Sequence, residues 1–394
     1  MNEILAPIVG AENITATDGN LLVTPETAAQ MSQVVQLCQQ NAWKIRIQGG
    51  GSKLDWGNPG AKVDLTLSTA KLDRLIDHAV GDLTVTIEAG YRFQALQAKL
   101  AQAQQCLGID PPYPERATLG GIVATGDSGS WRHRYNSVRD QILGIKFIRS
   151  DGEIIHAGGR VVKNVAGYDL MKLFTGSYGS LGIITEVTFR LYPLPQPRQF
   201  WLCQGEPSQI VELRTIVLRS SLTPLIVDLY SPCLLQNLGY KPAWGMGVEF
   251  AGISAEFQGD LLDKMAQNLG ISCQLVPENF PRSVSKTFET KGRCKIGVPS
   301  AQALTLFTPL ADSHPLQIHL GSGLGLLLIN SPDQVTEWRQ KLIDVGGFLT
   351  ILTGEWGTDR CYVNPSVKEL MTKIKHQFDP RGIFNPIEGW GEAG

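Results

Sequence analysis

Three glycine-rich segments lie beside predicted strands and could hold a phosphorylated cofactor. They are Gly49–Gly51, Gly120–Gly129 and Gly176–Gly182. Glycine has no Cβ and tolerates positive φ, so backbone N–H groups in such loops can converge on an anion. One loop of this kind is most simply an ordinary tight turn. Three in the first half of the chain favour a dinucleotide, whose pyrophosphate needs such a cradle.

The arrangement of these glycines fits a Rossmann-type nucleotide site poorly. No G-x-G-x-x-G motif opens a helix, and Gly49–Gly51 runs through Ser52 and Lys53 into more loop and another strand. The sequence therefore predicts that loops between strands, and not a helix N-terminus, hold the pyrophosphate.

The glycine loops resemble those of the vanillyl-alcohol-oxidase/PCMH-type flavoprotein family. Residues 46–53 (RIQGGGSK) are similar to its first pyrophosphate loop, and residues 117–129 (ATLGGIVATGDSG) match its T-[IL]-G-G-x-[IV]-A-T pattern. Residues 176–186 (GSYGSLGIITE) match G-S-x-G-x-L-G-I-[IV]-T-x, and residues 379–386 (DPRGIFNP) resemble its C-terminal return. Together these motifs span nearly the whole chain.

This resemblance implies FAD as the cofactor and a set of residues that contact it. It places Ile184 on the adenine side and Asn385 near the isoalloxazine ring. Some relatives attach flavin through a His in the first loop, where this chain has Gly51 and Ser52, and its second loop has no Cys, so we expect non-covalent FAD. The implied contacts are Gln48, Gly49, Gly50, Gly51, Ser52, Lys53, Thr118, Leu119, Gly120, Gly121, Thr125, Gly182, Ile184 and Asn385.

Within the family, residues 159–170 (GRVVKNVAGYDL) point to the flavoprotein subunits of glycolate oxidase. Catalytic relatives carry H-x-G-x-G-x-x-H and a later E-H-G, which together hold a divalent metal and a proton-accepting His. This chain keeps His319 but has Leu326 at the second position, and it keeps Glu355 but has Trp356 where the base should be. A metal would be short of ligands. We therefore expect no metal, a structurally satisfied His319 and a capping or ion-pairing Glu355, and we assign no catalytic residue.

Such a degenerate motif resembles the E-type subunit of the glycolate oxidase complex. The resemblance implies two partners: a related FAD-binding D-type subunit with the full metal motif, and an iron–sulfur subunit. It implies oxidation of a small 2-hydroxy acid, such as glycolate to glyoxylate. Two alternatives stay open: a self-sufficient FAD oxidase that holds a carboxylate with Arg282 or Arg293, and a scaffold that has lost flavin.

Three charged or titratable residues follow the second glycine segment: Arg132, His133 and Arg134. They are most simply an exposed charge cluster.

The chain length and a cluster of prolines predict more than one domain, and the resemblance implies an α+β fold. A chain of 394 residues exceeds the size of a single core. Pro193, Pro195 and Pro197 mark the best boundary. We expect a bilobed PCMH-type FAD-binding domain over 1–195, an α+β substrate or cap domain over 196–364, and a segment over 365–394 that packs back on the FAD domain.

Periodicity predicts several individual elements. A helix is expected over Thr24–Ala42 with Thr24 as its N-cap, another over Arg92–Gln105, and another over Ser366–Phe378. Asp151 and Gly152 predict a hairpin turn. The stretch Pro111–Gly129 has no clear period.

Composition excludes several classes of protein. The 35 basic and 37 acidic residues give a net charge of −2, without the basic excess that nucleic-acid binding usually needs. The seven cysteines form no C-x-x-C pair, which argues against a cluster or zinc site and favours free buried thiols. No signal peptide or membrane span is apparent. We expect a cytoplasmic protein, with peripheral membrane attachment through partners left open.

Overall fold

The computed structural model describes residues 1–17, 20–56, 62–159, 168–354, 356, 360–361 and 363–386. The chain forms three main sheets in succession, and its C-terminal end returns to the first two.

The first unit is a small sheet covered by helices on one face. Its strands follow the order β1-β2-β4-β3, with β1 antiparallel to β2 and the other neighbours parallel. Its apolar face packs on the helices through Val23, Ile45 and Leu67, and none of the three is exposed. The elements are α1 (Asn2–Val9), β1 (Ile14–Thr17), β2 (Asn20–Val23), α2 (Ala28–Asn41), β3 (Ile45–Gln48) and β4 (Leu65–Ser68).

The second unit is a five-stranded antiparallel sheet of order β5-β6-β10-β8-β9, beside a two-stranded ribbon of β7 and β11. Its elements are β5 (Leu75–Ala79), β6 (Thr84–Glu88), α3 (Phe93–Ala101), β7 (Gln105–Cys106), α4 (Leu119–Thr125), α5 (Arg132–Tyr135), α6 (Val138–Gln141), β8 (Ile142–Ile148), β9 (Ile154–Gly158), α7 (Leu170–Phe174), β10 (Ile183–Arg190) and β11 (Tyr192–Pro193). The predicted hairpin at Asp151 and Gly152 is confirmed, because it joins β8 to β9.

The third unit is an eight-stranded antiparallel sheet of order β15-β12-β14-β13-β17-β18-β16-β19. The chain enters it directly after the proline cluster. Its elements are β12 (Arg198–Gly205), α8 (Pro207–Arg219), β13 (Ile226–Tyr230), α9 (Pro232–Asn237), β14 (Trp244–Ala251), α10 (Ala255–Asn268), β15 (Ser272–Val276), α11 (Phe280–Thr287), β16 (Arg293–Gly297), α12 (Ala303–Phe307), β17 (Leu316–His319), β18 (Leu324–Leu328), α13 (Pro332–Asp344) and β19 (Phe348–Ile351).

The last helix, α14 (Pro365–Phe378), leaves this sheet and packs on the second unit. Phe378 contacts the rings of Phe147 and Phe174. The following residues reach the first unit, where Phe384 is fully buried and forms a parallel bridge to Ile45. The end of the chain therefore closes over both units that carry the glycine loops.

Several local predictions are wrong for identifiable reasons. The first long helix begins at Ala28, because the Thr27 hydroxyl and not that of Thr24 accepts the N–H of Gln30. The third helix stops at Ala101, because Gln104 takes positive φ and the chain then enters β7. The sequence also predicts a short helix over residues 164–174. Residues 160–167 lie outside the described part of the chain, and the described helix α7 spans Leu170–Phe174.

Two of the cysteines are not free thiols. Cys203 on β12 lies opposite Cys273 on β15, and the two form a disulfide. The expectation of free thiols is therefore wrong for this pair, because strands 70 residues apart in sequence become neighbours in the sheet. Cys38, Cys106 and Cys294 are buried thiols, and burial raises the pKa of each to about 12.

No helix in the described part of the chain is both long enough and apolar enough to cross a bilayer.

Candidate cofactor-binding site

One cavity of about 960 Å³ collects most of the residues predicted to bind the cofactor. Its floor is made by the glycine loops of the first two units, and its far wall by β16 and β19 of the third sheet, with α14 along one side. The predicted residues that line it are Gly49, Gly50, Gly51, Ser52, Lys53, Thr118, Gly120, Gly121, Thr125, Gly182, Ile184 and Asn385.

Two predicted contacts lie elsewhere. Gln48 lines a separate polar groove on the first sheet, and its carbonyl accepts the N–H of Thr69. Leu119 is fully buried in the core of the second unit. Neither side chain faces the cavity that holds the other twelve predicted residues.

The first glycine loop presents unused donors to this cavity. Among hydrogen bonds between the described residues, none is donated by the backbone N–H groups from Gly49 to Lys53. The loop also approaches its neighbours too closely for side chains, since a Cβ on Gly50 would overlap the Arg116 carbonyl oxygen. A row of unpaired N–H groups in a recess fits a pyrophosphate, which supplies several strong acceptors.

The second glycine segment is the start of a helix, contrary to the expectation of a loop between strands. Thr118 is the N-cap of α4, and its hydroxyl accepts the N–H of Gly121 at 3.4 Å. The N–H groups of Leu119 and Gly120 are already used, by the carbonyls of Tyr91 and Ala89. This segment therefore contributes to the wall of the cavity, whereas its backbone N–H groups are largely used within the protein. The helix forms although glycine disfavours it, because Ile122 and its neighbours are buried.

The third loop is held by the returning C-terminal segment. The Asn385 side chain accepts the N–H of Ile47 at 2.7 Å and donates to the carbonyl of Tyr178 at 2.5 Å. The Lys375 ammonium donates to the carbonyls of Ser180 and Phe384 at 2.7 and 2.8 Å. Asn385 thus links β3 to the third glycine loop. Its side-chain carbonyl oxygen already accepts a backbone N–H of the protein.

A buried ion pair joins the first loop to the end of the second segment. Lys53 Nζ lies 2.9 Å from Asp127 Oδ2, and the two side chains are 6% and 16% exposed. Burial lowers the pKa of Lys53, and Asp127 only partly opposes this. Burial would raise the pKa of Asp127, but the charges of Lys53 and Lys295 outweigh it and hold that pKa down.

The Trp56 ring lies close to two of the cations beside the cavity. Lys53 lies 5.0 Å from the centre of the Trp56 ring, and the Arg293 guanidinium lies 5.1 Å from it. Arg293 is 1% exposed and donates to the Tyr113 hydroxyl at 2.9 Å. The indole N–H of Trp56 is buried and has no partner among the described residues.

His319 belongs to a polar cluster between the second and third units. Its Nδ1 lies 2.7 Å from Asp228 Oδ1, while Ser130 and Gln317 donate to the other oxygen at 2.7 and 2.8 Å. Burial would raise the pKa of Asp228, but His319 and these hydrogen bonds lower it. His319 is thus held in place as expected of a satisfied strand histidine.

The rest of the degenerate motif offers little for a metal. Leu326 lies on β18 opposite Gln317 and packs against apolar side chains. Trp356 packs against the core of the third unit, and Glu355 and Gly357 lie outside the described residues. Within the described ranges, no group of three or more His, Cys, Asp or Glu side chains is arranged to hold a metal ion.

The remaining candidates from the sequence are engaged in contacts between units. Arg282 pairs with Glu115 of the second unit at 3.2 Å and with Glu289 at 2.8 Å. His133 is partly buried against Gly321, so the expectation of an exposed cluster is wrong for this residue, and burial lowers its pKa. Arg134 is exposed as expected.

Sequence reasoning missed four residues of the cofactor cavity and of the His319 cluster: Trp56, Asp127, Asp228 and Lys295. Asp127 lies inside the second glycine motif and could have been found as its one acidic residue. The others lie in a loop and on strands without any motif, so their roles depend on chain pairing.

Comparisons with known proteins agree with this geometry. Residues 20–158 match the family described as FAD binding domain. Glycolate oxidase subunit GlcE of Escherichia coli (strain K12) is 39% identical over 350 residues, covering 88% of this chain and 92% of that protein. A probable mitochondrial D-lactate dehydrogenase of Danio rerio is 28% identical over 424 residues, covering 93% of this chain and 83% of that protein.

Two further matches bear on fold and family. Glycolate oxidase subunit GlcD of Bacillus subtilis (strain 168) is 28% identical over 189 residues, covering 47% of this chain and 39% of that protein. A solved structure of alkyldihydroxyacetonephosphate synthase superposes with a TM-score of 0.68 at 18% identity, covering 93% of this chain and 76% of that one. At that identity the likeness shows the fold alone.

Fold, cavity and comparisons define an FAD-dependent flavoprotein of the PCMH type, an oxidoreductase whose cofactor is FAD. The chain belongs to the family of glycolate oxidase subunit GlcE. The predicted family, α+β fold class and cofactor are confirmed.

Proposed function

We propose that this chain is the FAD-binding accessory subunit of a glycolate oxidase or glycolate dehydrogenase complex. The complex oxidises a small 2-hydroxy acid, such as glycolate to glyoxylate, and the oxidation occurs mainly on a partner. One observation carries the proposal. The chain has a cavity built for FAD, yet His319 is held by Asp228 and Leu326 stands where the second metal-ligating His would be.

In this proposal FAD is bound without a covalent bond. Gly49 to Lys53 would donate backbone N–H groups to the pyrophosphate, and Ile184 would pack at the adenine side. The ring would lie towards the third unit, whose strands β16 and β19 contribute to the cavity wall. Thr118, Gly120, Gly121, Thr125 and Gly182 shape the path, whereas Asn385 positions the first strand and third loop. Bound FAD supplies two-electron redox chemistry, and the chain's residues orient it and exclude water.

The same proposal assigns a domain to each part of the chain. Residues 1–195 form the FAD-binding domain, residues 196–364 the cap domain, and residues 365–394 return to the FAD domain. The change of sheet after Pro193 and the packing of Phe378 support these limits.

The proposed partners are a related D-type flavoprotein subunit, which carries the complete metal motif, and an iron–sulfur subunit. The names of the relatives support this, since GlcE and GlcD are both described as subunits of glycolate oxidase. The cysteine pattern supports an external electron carrier, because the seven cysteines include no cluster motif. We further propose a cytoplasmic location, peripheral to a membrane through these partners.

The experiment begins with the chain purified alone. Its visible spectrum is recorded, glycolate is added without oxygen, and the D-type partner is then added to the same sample. The proposal expects a yellow protein whose flavin stays oxidised with glycolate alone and becomes reduced once the partner is present. Acid precipitation should leave FAD in the supernatant, as expected for non-covalent binding.

Two results would overturn this proposal. Reduction by glycolate without the partner would show a complete active site in this chain, as in the self-sufficient oxidase that uses Arg282 or Arg293. A protein that stays colourless after incubation with FAD would leave only the alternative in which the chain is a scaffold without flavin. Arg282 already pairs with Glu115 and Glu289. Arg293 is buried and donates a hydrogen bond to the Tyr113 hydroxyl. Both arginines therefore have partners within the protein.

A further inference from the structure

Lys295 is a cation on the wall of the flavin cavity that no acidic side chain neutralises directly. It lies on β16 and lines the cavity beside Thr350, its neighbour on β19. Within the described ranges its ammonium group has no hydrogen-bond or ion-pair partner. A cation left unpaired at a cavity wall fits an anionic occupant.

Lys295 belongs to a group of three cations that face a single carboxylate. Lys53 and Lys295 line the same cavity, and Lys53 and Arg293 lie 5.0 and 5.1 Å from the centre of the Trp56 ring. The charges of all three cations hold down the pKa of Asp127. Asp127 is already paired with Lys53 at 2.9 Å. The protein side chains at this end of the cavity therefore carry a net positive charge.

The position of Lys295 in the sheet sets it beside the degenerate motif. It lies directly opposite Leu326 on β18, and paired residues share one face of a sheet. Where the metal-binding relatives would carry a His ligand, this wall has an aliphatic side chain next to an ammonium group. An ammonium group repels a divalent cation at this point and attracts negative charge.

The proposed path of FAD brings its ring to this wall, so this step rests on the proposed function. In that proposal the unpaired N–H groups from Gly49 to Lys53 would donate to the pyrophosphate, and Ile184 would pack at the adenine side. The ring would then lie away from Ile184, at the part of the same cavity that Lys295 and Trp56 line.

We propose that Lys295, supported by Arg293 and Lys53, stabilises the negative charge of reduced FAD and raises the reduction potential of this subunit's flavin. Reduction adds two electrons and one proton to the ring. The proton goes to N5, and the remaining negative charge is shared by N1 and the C2 carbonyl oxygen. The electrons come from a 2-hydroxy acid or from the reduced flavin of a partner. A nearby cation favours the reduced ring over the neutral oxidised ring.

The test measures the midpoint potential of FAD bound to the full chain, together with the affinity for oxidised FAD. The variants are Lys295→Arg, Lys295→Gln and Lys295→Glu. Lys341→Gln is the matched control, since Lys341 pairs with Glu337 on α13 and does not line the cavity. We expect Lys295→Arg and the control to keep the wild-type potential.

Lys295→Gln should lower the affinity for reduced FAD relative to oxidised FAD about tenfold, which for a two-electron couple lowers the potential by about 30 mV. Lys295→Glu should lower it further. An unchanged potential in Lys295→Gln would overturn the inference, as would an equal loss of affinity for both redox forms, which would make Lys295 a pyrophosphate contact. A change confined to 2-hydroxy acid binding would also overturn it. If the wild-type chain bound no FAD, the proposed function itself would fail.

Discussion

Lys53 and Asp127 form a buried ion pair that ties the first glycine loop to the end of the second glycine segment. Their charged atoms are 2.9 Å apart, and Lys53 also lies 3.4 Å from the Thr125 hydroxyl. The pair comes from positions 74 residues apart in sequence. It therefore fixes the relative position of two segments that must face the same cofactor.

Removing one member of this pair should destabilise the protein strongly. Asp127→Asn leaves the Lys53 ammonium buried without its counter-charge, which costs about 3–5 kcal/mol for a pair of this kind. Urea unfolding of the chain with and without FAD measures the loss. The double variant Lys53→Met with Asp127→Leu should recover most of the stability but bind FAD weakly, because it loses the loop alignment and a cation. Equal stability of Asp127→Asn and wild type would contradict a structural role for the pair.

Gly50→Ala should abolish FAD binding. Its Cβ would overlap the Arg116 carbonyl oxygen, so the first loop would have to move away from the cavity it lines. Gly81→Ala is the matched control, because a Cβ there meets no atom within 4 Å. Flavin absorbance after reconstitution measures the outcome. Normal FAD content in Gly50→Ala would show that the loop does not need its present path.

The glycine loops were predictable because their constraint is local. A residue such as Gly50 is required by a backbone contact within one short motif, and the motif shows in the sequence. The helix α4 was missed for the opposite reason. Gly120 and Gly121 lower its local helix propensity, but burial of Ile122 and Val123 against the rest of the unit decides the outcome.

The charged part of the site could not be predicted because it depends on strand pairing. His319 meets Asp228 across β17 and β13, although 91 residues separate them in sequence. Lys295 reaches the cavity because β16 lies next to the edge strand β19. Neither Asp228 nor Lys295 belongs to a motif, so only the order of the strands brings these two residues to their sites.

Asn385→Asp should loosen the C-terminal segment. The carboxylate can still accept the N–H of Ile47 but cannot donate to the Tyr178 carbonyl, and the resulting buried unsatisfied groups cost about 1–3 kcal/mol. Hydrogen exchange of residues 379–386 should speed up, and FAD affinity should fall. Asn364→Asp provides the control, because that amide oxygen only accepts, from Ser366, and a carboxylate accepts equally well. Identical exchange in the two variants would refute this role of Asn385.

Glu249 should make stability fall as pH rises towards neutrality. Its side chain is fully buried on β14, where Arg198 lies 3.3 Å away and the Trp131 indole also interacts with the carboxylate. Burial raises its pKa from 4.5 to about 7, against the opposing charge of Arg198. Between these values the folded chain keeps the proton that the unfolded chain has released. The free energy of unfolding therefore decreases with rising pH across this window and levels off above it.

Glu249→Gln should remove this dependence, because the amide stays neutral at every pH. The difference in unfolding free energy between variant and wild type should change by roughly 3 kcal/mol between pH 4.5 and about 7, in favour of the variant at the upper end. Urea unfolding across this range measures it. Glu337→Gln, at an exposed position on α13, should leave the pH profile unchanged. Parallel profiles for Glu249→Gln and wild type would mean that the Glu249 carboxyl ionises in the folded protein as it does in water, with Arg198 compensating its burial in full.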